Sequence, residues 1–160
     1  MRLAIACAML AGCTTWQSTY HRQRVEASEL VWQYDAKLEV TRDGKLVAQQ
    51  RDWDGLAEAV VCVPRAKEYA ESAASRDRTG SLMTWGGLAV LAGGVIAGSV
   101  LILSDTSNTD QMLAGAGVML GGVVIGGPTA LGGIVTRYRA DASAIDAVNV
   151  YNDERRGSCR

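Results

Sequence analysis

Hydrophobic and polar positions fall into different regimes along the chain, and the longest regime is apolar. Leu82 to Leu103 (LMTWGGLAVLAGGVIAGSVLIL) and Gln111 to Thr136 (QMLAGAGVMLGGVVIGGPTALGGIVT) contain no charged residue, and between them lies the polar stretch Asp105 to Asp110. Crossing a hydrocarbon core of ~30 Å takes about 20 helical residues, and a buried helix of a water-soluble domain rarely continues so long without a charge. Backbone in lipid has to bond within itself, as a helix or a closed barrel, and neither run shows the period-two alternation of barrel strands. The pattern predicts two transmembrane helices over 82–104 and 111–136, joined by a loop at 105–110.

Upstream the period changes. Leu30, Trp32, Tyr34, Ala36, Leu38 and Val40 alternate with Val31, Gln33, Asp35, Lys37, Glu39 and Thr41, the period of a strand with one buried face. This predicts a strand over about 30–42, a turn at Asp43-Gly44 and a second strand over about 45–50. A three-residue loop with Gly44 in the left-handed region would pair Val40 with Leu46 and Leu38 with Ala48; a two-residue loop would set Leu38 against Gln49. A lone hairpin is marginal and needs a cover. Asp54 is placed to cap a helix over about 55–62, and Pro64 to open another over about 64–79, where Ala66, Tyr69, Ala70, Ala73 and Ala74 form an apolar stripe. Gly80-Ser81 separates that helix from the first apolar run. Beyond the second run, 137–160 reads as a helix and tail with a narrow stripe of Ile145, Val148 and Tyr151 or Asn152. The expected fold class is therefore a membrane α-helical hairpin with a small α+β module at 30–80 that contains a β-hairpin.

Glycine changes the picture of the apolar runs. Between helices in lipid there is little hydrophobic gain, so small residues that let backbones approach carry much of the association. Gly94 and Gly98 form one such pair in the first run; Gly117 and Gly121 form another in the second, and Gly122 and Gly126, continued by Ala130, a third. The second helix thus carries small residues on more than one side, one to meet the first helix and one for another protein. Pro128 lacks an N–H and is expected to kink the second helix near its end.

The N-terminus carries an address. Met1-Arg2, an apolar stretch from Leu3 to Met9 and then Leu10-Ala11-Gly12-Cys13 resemble the signal peptide and lipobox of bacterial lipoproteins. The resemblance implies a signal peptide at 1–12, cleavage before Cys13, acylation of that cysteine and a tether over 13–29. Two or three acyl chains make a stable anchor. Thr14 stands where that family's inner-membrane retention signal has Asp, which favours the outer membrane, with the inner membrane as the alternative. Taken with the hairpin, the chain resembles the glycine-zipper two-transmembrane outer-membrane lipoproteins, over Leu10–Cys13 and roughly Gly86–Gly133. Its glycines are less regular than theirs, and the strand pair is no part of their pattern. The resemblance implies an envelope-integrity or scaffold role without catalysis.

Topology and charge refine this expectation. An acylated Cys13 and two spans put both chain ends on one side of the membrane, where Trp85 and Tyr138 would mark one interface and Arg76, Arg78, Arg137 and Arg139 would flank it. Arginines on the side away from the cytoplasm run against the positive-inside rule of inner membranes, a second reason to favour the outer one. If Cys7 is lost with the signal peptide, Cys62 and Cys159 are the remaining thiols, and an oxidising compartment would let them pair. The formal net charge of −1 leaves no basic footprint for nucleic acid. A single His21 supports neither a nucleophile triad nor a histidine metal site, Asp52 and Asp54 read as turn and cap residues, and no phosphate loop is present. No cofactor is expected. The partners expected are membrane lipid, further copies of the chain or other envelope membrane proteins. The sequence points to a non-enzymatic, lipid-anchored envelope protein with a self-associating hairpin, or alternatively to an accessory subunit of an envelope transport or secretion complex.

Overall fold

The computed structural model describes residues 29–104 and 109–158. The expected signal peptide, the tether up to residue 28 with Cys13, residues 105–108 of the loop, and Cys159 lie outside the described residues. In chain order the elements are β1 (Leu30–Tyr34), β2 (Leu38–Arg42), β3 (Lys45–Gln49), a short α1 (Asp54–Ala59), and two long helices, α2 (Pro64–Ser104) and α3 (Thr109–Ser158).

The strand expected over 30–42 is two strands. β1 and β2 form an antiparallel pair that sets Leu30 opposite Arg42, Trp32 opposite Val40 and Tyr34 opposite Leu38. Folding the alternating segment about Ala36, a member of its own apolar stripe, keeps even-numbered residues opposite even-numbered ones. The buried face is the same whether this segment runs straight or doubles back, so its periodicity holds no signal for the turn. The result is a three-stranded antiparallel meander in the order β1-β2-β3 in place of the expected hairpin.

Neither expected register between β2 and β3 survives intact. The turn is the two-residue one, with Arg42 opposite Lys45 and positive φ at both Asp43 (51°) and Gly44 (74°), as a type I′ turn requires. Continued unbroken, it would set Val40 against Val47. A bulge between Val40 and Thr41 shifts the ladder by one and brings Val40 opposite Ala48. Leu46, expected to pair with Val40, stands opposite Thr41 on the outer face and is 56% exposed.

The helices are longer than expected. Gly80-Ser81 is no boundary: α2 runs 41 residues without interruption from Pro64, and α3 runs 50 residues through Arg137 and past Pro128, whose ring lies on an exposed face. Gly80 continues the helix because it faces α3 at a distance no side chain tolerates; a Cβ there would lie 2.8 Å from the Gly133 carbonyl oxygen. At 1.5 Å per residue the helices are ~60 and ~75 Å long.

One seam joins them from end to end. On α2 it is formed by Ala66, Ala70, Ala73, Asp77, Gly80, Thr84, Gly87, Leu91, Gly94 and Gly98, whose spacing alternates strictly between four and three. That is the repeat of a coiled coil, with alanine and glycine where leucine usually sits. On α3 the facing positions are Gly115, Met119, Gly122, Gly126, Ala130, Gly133 and Arg137, then Ala140, Ala144, Ala147 and Tyr151. Two consecutive steps of four, from Gly122 to Ala130, locally unwind the α3 repeat just where Pro128 falls.

At the end away from the loop the helices share one core with the sheet. Leu30, Leu38, Val40 and Ala48 from the strands, Trp53, Leu56, Val60 and Val63 around α1, and the alanine seam with Val148 and Tyr151 form a continuous buried cluster. α1 lies directly on β3: a Cβ on Gly55 would lie 2.6 Å from the Val47 carbonyl oxygen. Asp54 does not cap this helix. It is the first helical residue, Trp53 occupies the cap position, and no side-chain cap bond forms.

Candidate functional site

Two regions combine chemistry with exposure: the apolar half of the helical hairpin, and the polar tier where that half meets the module. Both helices are long and apolar enough to cross a membrane, and little of their apolar surface is covered within the chain. Only 11% of the most apolar stretch of α2 and 22% of that of α3 is buried. Leu82, Ile96, Leu103, Leu113 and Val124 are each more than 60% exposed, on surfaces with no polar relief. Apolar area on this scale marks contact with lipid or protein.

The glycines singled out from the sequence divide by side. Gly94, Gly98, Gly122 and Gly126 lie on the seam within the chain: a Cβ on Gly94 would lie 2.7 Å from the Gly122 Cα, and one on Gly98 2.5 Å from the Gly115 carbonyl oxygen. Gly117 and Gly121 lie elsewhere, with nothing within 4 Å of a Cβ on either. Gly86 and Gly93 of α2 are open in the same way. The spacing rule alone could not make this division, since Gly121 and Gly122 are adjacent and each begins or ends a small-xxx-small pair.

At the module end of the apolar half, the helix seam turns polar. Asp77 and Arg137 occupy seam positions on the two helices and pair at 3.4 Å, with their side chains 12% and 26% exposed. Beside them Asp141 accepts hydrogen bonds from Gln50 Nε2 (2.6 Å) and Trp53 Nε1 (3.3 Å), fastening the β3–α1 connection to α3. Burial raises the Asp141 carboxyl above its ordinary value of 3.8. The two hydrogen bonds and Arg137 oppose that shift, and Asp77 reinforces it. Two other arginines reach across elements: Arg78 pairs with Asp54 at 2.8 Å, and Arg76 Nη1 donates to Ser143 Oγ at 2.9 Å.

Trp85 and Tyr138 do not share a level. Gly80 packs on Arg137 and Gly133, and Gly87 on Ala130 and Gly126, so Tyr138 is level with Asp77, eight residues before Trp85. That separation is ~12 Å along the helix axis. Trp85 sits about one turn inside the apolar run, and Tyr138 lies beyond its end with the four arginines.

At the far end of the module, the segment of α3 from Ala147 to Asn152 joins the core. Val148 and Tyr151 enter the core, and the Asn152 amide grips the backbone of Leu30 at two points, accepting from its N–H (3.1 Å) and donating to its carbonyl (2.7 Å). A side-chain amide thus stands in for a neighbouring strand. Arg42 lies 5.2 Å over the Tyr151 ring and donates to the Ala59 carbonyl, joining sheet, α1 and α3. Glu29 and Arg155, both nearly buried, pair at 3.7 Å beside Leu30. The stripe of Val148 and Tyr151 was legible in the sequence, whereas the Asn152–Leu30 contact was not, because the two residues are 122 apart.

Cys62 is disulfide-bonded. Cys159, the partner expected from the sequence, lies outside the described residues. Among the described residues no cluster of His, Cys, Asp and Glu has the arrangement of a metal site. An open groove between α1 and α2 is lined by Asp54, Ala57, Glu71, Ala74, Ser75, Arg78 and Thr79, with the Asp54–Arg78 pair at its wall. No protein-family model, curated protein or solved structure matches the chain.

Proposed function

We propose that this chain is a non-enzymatic envelope protein, anchored by lipid at Cys13, whose glycine-rich hairpin spans the membrane and associates with further copies through its outward glycine face. The observation that carries this reading is the division of the glycines. One set is used up in packing α2 on α3, while Gly117 and Gly121, with Gly86 and Gly93, remain open on surfaces otherwise apolar and exposed. Glycine in a helix costs up to ~1 kcal/mol relative to alanine, so an open set needs a use other than the hairpin itself.

The uncharged run of α2, 22 residues from Leu82 to Leu103, is ~33 Å long, enough to cross a hydrocarbon core of ~30 Å. The outer membrane, favoured by the lipobox and by the arginines on the module side, is thinner than average, and a tilt of the hairpin accommodates the difference. A disulfide at Cys62 agrees with a module on the oxidising side.

A second reading, an accessory subunit of an envelope transport or secretion complex, draws on the edge of β1. Leu30 directs both its N–H and its C=O to Asn152, so Trp32 and Tyr34, two and four residues on, present theirs along the same edge away from β2. Tyr34 is 70% exposed there, and a partner strand would find both groups ready to pair.

Crosslinking in intact envelopes separates the two. Self-association gives a ladder of oligomers that Gly121→Leu abolishes while the hairpin stays folded; a single heterologous adduct at fixed stoichiometry supports the second reading. Labelling with a palmitate analogue in the wild type and in Cys13→Ala tests the anchor, and recovery in the inner membrane fraction would overturn the outer-membrane placement.

A further inference from the structure

Four arginines, Arg76, Arg78, Arg137 and Arg139, lie at one level of the hairpin, just beyond the end of the apolar runs. The structure divides them as it divides the glycines. Arg78 and Arg137 are neutralised by Asp54 and Asp77. Arg76 and Arg139 are exposed and, among the described residues, hold no ion pair. They also share a face. Ser143, which receives the Arg76 guanidinium, lies one turn beyond Arg139 on α3 and donates its hydroxyl to the Arg139 carbonyl.

The level of this face selects its ligand. Thr136, the last residue of the uncharged run of α3, packs level with Thr79, so Arg76 and Arg139 stand three residues, or ~5 Å, beyond the apolar boundary. Headgroups occupy a layer of that order on each side of a hydrocarbon core, some 40–45 Å in total against ~30 Å for the core. Tyr138, 63% exposed beside Arg139, is placed where aromatic side chains meet headgroups. Asp146, on the same column, lies further from the apolar run and holds no ion pair among the described residues; its carboxyl is raised by burial alone.

We infer that Arg76 and Arg139 form a site for the phosphate of an anionic phospholipid in the leaflet that the module faces. The guanidinium fork suits phosphate oxygens, and two unneutralised forks on one face suit a headgroup whose charge no second group cancels. The site rests on the membrane reading of the hairpin and adds a lipid preference to it.

The test uses the full chain reconstituted in vesicles of phosphatidylcholine containing a minority of phosphatidylglycerol, with retained lipids counted by native mass spectrometry. The wild type is expected to retain phosphatidylglycerol above its share. Arg76→Gln with Arg139→Gln is expected to lose that enrichment, about fivefold for each arginine, at unchanged helix content. Arg65→Gln, which removes a guanidinium at the start of α2, away from the apolar runs, is expected to keep it. Unchanged enrichment in the double variant, or an equal loss in Arg65→Gln, overturns the site while leaving the membrane reading intact. A chain that carbonate strips from the vesicles overturns both.

Discussion

Replacing Gly122 by alanine forces the two long helices apart, whereas the same change at Gly121 leaves them in contact. A Cβ at residue 122 would lie 2.8 Å from the Gly94 Cα and 3.2 Å from the Val90 carbonyl oxygen. Carbon atoms in favourable contact sit ~3.5–4.0 Å apart, so the helices would have to separate by about 1 Å. The obstacle is backbone, which has no rotamer to escape into. Overpacking of this kind costs ~1–3 kcal/mol, and the better helix propensity of alanine returns up to ~1 kcal/mol. The expected net loss for Gly122→Ala is about 1–2 kcal/mol. At Gly121 nothing lies within 4 Å, and only the propensity gain remains. The two adjacent substitutions should therefore differ by about 2 kcal/mol, or roughly thirtyfold in the unfolding equilibrium. Unfolding the full chain in mild detergent by titration with dodecyl sulfate, followed by far-ultraviolet circular dichroism, measures the difference. A Gly122→Ala hairpin as stable as the wild type, or a Gly121→Ala hairpin equally weakened, would refute the division of the glycines into a seam set and an open set.

Removing either member of the Asp77–Arg137 pair leaves its partner charged in a mostly buried seam and is expected to cost about 2–3 kcal/mol in the same titration, while Asp77→Leu with Arg137→Leu recovers most of it. Asn152→Ala breaks both bonds to Leu30 and should lower module stability by about 1–2 kcal/mol, with faster amide exchange at Leu30 as its local signature. The Asp141 carboxyl is raised on folding, so just above its ordinary 3.8 the folded chain holds more protons than the unfolded one. Its contribution to stability then declines as pH rises through that window. Asp141→Asn should flatten the pH dependence there relative to wild type, and an unchanged slope would show that Asp141 titrates normally.

The sequence by itself determined what is local and periodic. Two dozen residues without a charge announce helices long enough to cross a membrane; period-two alternation announces strands, Asp43-Gly44 a turn, and Pro64 a helix start. Each of these signals arises from residues near one another in the chain. What the tertiary structure decided are the choices that local pattern leaves equal. Folding at Ala36 preserves the parity of the stripe, so one strand and two look alike until β1 is seen against β2. Gly80-Ser81 reads as a break in isolation, yet the close approach of Gly133 keeps α2 continuous through it. Gly121 and Gly122 carry the same letter and opposite roles, because only the rotation of α3 against α2 says which of them meets backbone. Arg76, Arg78, Arg137 and Arg139 look equivalent along the chain; the placement of Asp54 and Asp77 neutralises two and leaves two to face outward. In each case the deciding contact joins residues far apart in sequence, and it is the partner's position that assigns the role.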